Sequence, residues 1–137
     1  MIPQPGKALT DLAQKLALSV APEINSAYGA ANVGMISMLL LALGQEAECA
    51  ISNRLQDAEA LRALFESAGE SQGQAARDAF TASQPASMNL SDVTAWLNEG
   101  LTLLIDLHAW AEDNDSTLNG RIWDFLYHHT ERHKIDL

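Results

Sequence analysis

Four histidines, a flank of acid and amide groups, and one cysteine are the residues of this 137-residue chain that could do chemistry. His129 and His133 are spaced i, i+4, which on a helix sets two imidazoles one turn apart, as in helical metal sites. The glutamate such sites carry at matching spacing is missing: there is no His-Glu-x-x-His and no Glu-x-x-His. Histidines near a helix C-terminus also complement the macrodipole without a metal. The expectation here is therefore no metal.

His108 falls on an apolar line with Leu97, Leu101 and Leu104, and Glu112 stands one turn later. If the helices on either side of residues 113–116 form a hairpin, residue numbers summing to about 230 lie level across it. That register predicts that His108 and Asp124 face each other as a structural polar pair. A satisfied core histidine is expected over a catalytic one, because no nucleophile or second acid is placed beside it.

Glu46, Asn53 and Asp57 follow at i, i+7 and i+11, one flank of a helix. Inward carboxylates of this kind hold divalent metal in helical bundles, and a hydrolase-like enzyme using Mg²⁺ or Mn²⁺ is the alternative reading. Such sites draw carboxylates from at least two helices. The acids Glu99, Asp106 and Glu112 do not fall at a ligand-pair spacing of three or four. A polar network that fixes helix register, with no cofactor, is the expectation. Asp113, Asp115, Thr117 and Asn119 resemble the start of a calcium loop. Leu118 and Asp124 stand where that loop needs glycine and glutamate, so the segment reads as a capped turn. Phosphate-binding glycine motifs, nucleophile elbows and Cys-x-x-Cys are absent.

The elements that must position these residues are helices. From Val33 to Phe65 apolar residues recur at steps of three and four, first almost all round, then as the stripe Ala47, Ile51, Leu55, Ala58, Leu61 and Phe65. This long helix is expected to be mostly buried, with Ile36, Leu39, Leu40 and Leu43 facing the core. Sequence signals extend it from Pro22 to Ser67, with a break expected near Gly29 to Asn32 and a C-cap at Gly69. Leu9, Leu12, Leu16 and Val20 mark a helix before it; a short helix over 74–81 and two more on either side of 113–116 follow it. Ser91 and Asp115 or Ser116 are the expected N-caps. The fold class is all-α: a single-domain, up-and-down antiparallel bundle of four main helices plus a short one.

Charge and composition narrow the function. With 18 acidic against 8 basic residues the chain carries −10, which disfavours nucleic acid. Cys49, the one cysteine, cannot pair within the chain and fits a reducing compartment. Lys7, Asp11, Gln14 and Lys15 stand where the apolar part of a signal peptide belongs, so a cytoplasmic protein is expected. The apolar run from Ala27 to Leu43 is shorter than the ~20 residues of a membrane span and contains Asn32 and Ser37. It reads as a core helix, with no membrane contact.

The leading functional reading is a non-enzymatic protein acting through self-association or a protein partner. The alternatives are the metal-dependent enzyme above and a binder of small apolar ligands between Trp96, Trp110, Trp123 and the long helix. A homodimer is expected through the arc of Gly34, Met38, Leu41 and Gln45, where large and small residues alternate as close helix contacts require.

Overall fold

In a computed structural model, residues 2–136 are described, and every regular element among them is helical. These are α1 (Pro5–Lys15), α2 (Ala27–Ala68), α3 (Gln74–Ala82), α4 (Leu90–Asn114) and α5 (Ser116–Arg132). The chain divides into two compact units, Met1–Ala50 with Lys134–Leu137, and Ile51–His133; the division falls inside α2.

In the first unit α1 packs on the N-terminal half of α2 through small residues. Gly6 and Ala13 of α1 are buried, and so are Ser37 and Gly44 of α2. The Ser37 hydroxyl donates to the Ala13 carbonyl at 2.6 Å. A Cβ on Gly44 would lie 3.0 Å from the Gly6 carbonyl oxygen, and one on Gly6 would lie 2.9 Å from that of Gly44. The two backbones meet where nothing but glycine fits.

This contact corrects the expected orientation of α2. Ile36, Leu39 and Leu43, assigned to the core, are 49%, 58% and 55% exposed. Burying Ser37 and Gly44 turns Ile36, Leu39 and Leu43, roughly 90–150° round the helix, to the outside. The first half of α2 is accordingly not a buried core helix: of its most apolar 18-residue window only 11% is buried. By length and composition α2 is also long and apolar enough to cross a membrane.

α1 runs into a π-helical turn, Leu16–Val20, and a 3₁₀ turn, Ala21–Glu23, which carries Pro22. The chain becomes extended at Ile24, and α2 starts at Ala27, five residues after the expected proline. Ser26 supplies the cap, its Oγ accepting the Gly29 N–H at 3.2 Å. From there α2 continues to Ala68 without the break expected at Gly29 to Asn32.

In the second unit Ala58, Leu61, Leu64 and Phe65 of α2 pack with Phe80, Trp96, Leu97, Leu104, Leu107, Leu118, Ile122 and Phe125. Gly69 ends α2 with φ +59°, the left-handed C-cap position expected of it. Buried Arg77 closes the following loop by donating to the Gln72 carbonyl (2.5 Å) and the Ser71 hydroxyl (2.6 Å). Burial lowers the pKa of its guanidinium, against the raising effect of the Asp78 charge. α4 begins at Leu90, just before the expected Ser91 cap, and Asp115 caps α5 by accepting the Leu118 N–H at 2.9 Å. Gly100 of α4 leaves room for its neighbours: a Cβ there would lie 2.5 Å from Phe80 Cζ and 2.7 Å from Leu61 Cδ2.

Alanine substitutions test this packing through opposite signs. Gly34 and Gly120 have open space where a Cβ would go. Gly34→Ala and Gly120→Ala should each stabilise by about 0.5–1 kcal/mol from helix propensity alone. Gly44→Ala and Gly100→Ala should destabilise, since overpacking costs about 1–3 kcal/mol. Thermal melting of the four variants reads the signs; stabilisation by Gly44→Ala would show that α1 does not approach α2 this closely.

Candidate functional site

The second unit holds a carboxylate cut off from solvent. Asp57 lies on α2, one residue from Ala58 of the apolar stripe, and is 0% exposed. An ionised carboxylate in that position must find donors for its oxygens, because the desolvation cost is several kcal/mol. The last turn of α5 supplies them. Arg132 Nε donates to Asp57 Oδ1 at 2.7 Å. His129 Nδ1 and His133 Nε2 both converge on Oδ2, at 2.8 and 2.6 Å. Since a carboxylate oxygen can only accept, both ring nitrogens carry the proton in this arrangement.

The spacing i, i+3, i+4 places His129, Arg132 and His133 on one face of the α5 terminus, where positive charge also suits the helix dipole. The turn is held from α2 a second time: Asn53 Nδ2 donates to the Arg132 carbonyl at 2.8 Å. The His129 ring stacks on Phe125 with centroids 6.0 Å apart, and the His133 ring lies 4.8 Å from that of His129. One ligand atom from each of Asp57, His129 and His133 lies within 4.8 Å of the others.

The residues singled out in the sequence are distributed differently. Of the flank Glu46, Asn53 and Asp57, the last two belong to this cluster, and Glu46 belongs to the first unit. His108 and Asp124 do not form the expected pair. His108 Nε2 bonds Asn119 Oδ1 at 3.1 Å, has Glu112 at 3.8 Å, and meets the Trp123 ring edge-on at 5.4 Å. The level across the hairpin is as reasoned, but Asn119 and Trp123 share the face toward His108, whereas Asp124 is a further 100° round α5.

Asp124 lines an open cleft of about 440 Å³ with Arg121, His128 and Arg132, over Ala60, Leu64 and Phe125. The tryptophans do not form one ligand box. Trp96 is buried, stacked on Phe80 at 5.3 Å with its Nε1 donating to Ser83 Oγ, while Trp123 is 57% exposed.

Of the expected interface residues, Met38 is 53% exposed, and Gly34 and Leu41 are half-buried. Gln45 is engaged by the C-terminal segment in the same unit: it donates to the Asp136 carbonyl at 2.5 Å and accepts the Asp136 N–H at 3.0 Å. Comparison with protein-family models, curated proteins and solved structures finds no match to this chain.

Sequence reasoning found both halves of the cluster without joining them. Asp57 stood on a flank with the wrong partners, and the histidine pair lacked a carboxylate because one was sought within the same helix. The available signal was Arg132: a third polar residue on the His129–His133 face of a helix otherwise packed by Ile122 and Phe125 requires a buried counter-charge.

Removing that counter-charge should be costly. Asp57→Ala leaves three donors without an acceptor and should lower stability by about 3–5 kcal/mol. His108→Ala removes one hydrogen bond of a half-buried ring and should cost about 1 kcal/mol. Urea denaturation followed by tryptophan fluorescence compares them, and equal effects would mean that the Asp57 cluster does not support the second unit.

Proposed function

We propose that the protein works by self-association, a second copy covering the apolar arc of α2 in the first unit. The observation that carries this reading is the row of large apolar side chains at helical spacing that the chain leaves uncovered. Tyr28 is 78% exposed, Met35 59%, Met38 53%, Leu39 58% and Leu43 55%. Together with Ile36 they offer on the order of 600 Å² of apolar surface, the top of the range for a monomer. That is most of the ~800 Å² per partner found in a standard interface. Positions 28, 35, 38, 39 and 43 recur at the three-, four- and seven-residue steps of a helix–helix seam. The interface centre thus moves from Met38 and Leu41 toward Met35, Met38 and Leu39, with Gly34 at its edge.

A second copy accounts for this arc better than a bilayer. Along Ser37 to Gly44 the opposite side of α2 carries α1, whose Lys7–Asp11 ion pair at 2.9 Å would be taken into hydrocarbon by a spanning α2. A net charge of −10 opposes adsorption to an anionic membrane surface. The reading is therefore a cytoplasmic, acidic homodimer without nucleic-acid contact, in which the helices joined by short connections run up and down, antiparallel. Seating a protein partner on the same arc is the related outcome.

Light scattering coupled to size-exclusion chromatography at low micromolar concentration should give twice the chain mass. Met35→Glu with Leu39→Glu should give a folded monomer by circular dichroism. A wild-type monomer, or a dimer unchanged in the double variant, refutes the proposal; wild-type chain floating with neutral vesicles would assign the arc to lipid instead.

A further inference from the structure

We infer that Asp57, His129 and His133 form a binding site for a divalent first-row transition-metal ion, with Zn²⁺ as the reference case. The site is independent of self-association and lies wholly within the second unit.

The charge of Asp57 is balanced without the histidines. One buried carboxylate is neutralised by one guanidinium, and Arg132 Nε already occupies Oδ1 at 2.7 Å. Two imidazoles nonetheless converge on the single remaining oxygen, Oδ2. The result is three donor atoms, two nitrogens and one oxygen, all within 4.8 Å of one another. Ligand atoms bound to one zinc at ~2.0–2.1 Å lie roughly 3.3 Å apart in a tetrahedral shell, so small side-chain rotations close the set.

The surroundings fit that role. Arg132 fixes the carboxylate from the far side and leaves Oδ2 pointing at the imidazoles, as outer partners of metal-binding carboxylates do. The Asn53 bond to the Arg132 carbonyl holds the α5 turn in place independently of an ion. The side chains of His129 and His133 are 30% and 23% exposed, which gives an entry path and room for a water as fourth ligand.

On binding, each coordinating nitrogen gives up the proton it now donates to Oδ2, to the other nitrogen of its ring or to solvent. Its lone pair then goes to the ion. Two imidazoles with one carboxylate favour zinc and its neighbours over Mg²⁺ and Ca²⁺, which prefer all-oxygen shells. A three-ligand shell with an open position is also the arrangement of metals that polarise water.

Titration of the full-length, metal-stripped chain with Zn²⁺ by calorimetry, and with Co²⁺ by visible absorption, tests the assignment. One ion per chain should bind, with Co²⁺ giving the d–d bands of a low-coordinate nitrogen and oxygen shell. His129→Ala and His133→Ala should each weaken Zn²⁺ binding by at least the 10- to 100-fold typical of outer-sphere changes. His128→Ala and His108→Ala should bind as the wild type does. Circular dichroism of each variant reports folding, and the wild-type titrations stand even if a variant unfolds. Absence of one-to-one binding by the wild type, failure of a tenfold excess of Mg²⁺ to leave Zn²⁺ bound, or dependence on His128 in place of His129 and His133 overturns the site.

Discussion

A carboxylate with no access to water constrains the second unit more than any apolar contact does. Hydrophobic burial of Leu61, Ile122 and Phe125 gains its free energy without regard to direction. The Asp57 oxygens differ. They accept directional bonds from Arg132, His129 and His133, three groups within five residues of one another, and a shift by one residue in α5 would point those donors elsewhere. The polar cluster therefore ties α5 to one register against α2, and it draws on the last turn of α5, where helices otherwise fray.

The first unit is organised by the opposite device, the absence of side chains. Gly6 against Gly44, with Ala13 and Ser37 alongside, lets α1 and α2 approach to backbone contact. Close approach raises dispersion contact along the seam, but it confines packing to the face where α2 is small. The large residues of that stretch then have no partner in the unit. Methionine and leucine at 35, 38, 39 and 43 are left outward by the same geometry that seats α1. An apolar arc of this kind is a consequence of how the two helices meet, so the proposed self-association would depend on the packing of α1.

The two devices divide the chemistry of the chain. The Asp57–His129–His133 cluster lies in Ile51–His133, whereas the apolar arc of α2 lies in Met1–Ala50. The acidic excess is largely carried by exposed residues such as Glu59, Glu66, Asp78, Glu99 and Asp106, which keep the remaining surface solvated. Arg62, by contrast, lies over the Trp96 ring at 5.1 Å and donates to the Ser83 carbonyl, so it joins the packing.

Periodicity by itself determined that the chain is helical, where α3 lies, and that Ala58, Leu61 and Phe65 face a core, because a 3.6-residue repeat is a property of local sequence. Gly69 and Asp115 were legible for the same local reason, one as a left-handed C-cap and the other as an N-cap. Which arc of the first half of α2 faces inward was not legible. That stretch is apolar nearly all round, so its pattern names no inner face, and only the fit of Gly44 against Gly6 decides it. Nor could the sequence pair Asp57 with His129 and His133, groups 72 and 76 positions apart in the chain. Spacing along one helix tells which residues share a face; which face of another helix lies opposite is set by packing across the core, and only the tertiary structure contains that.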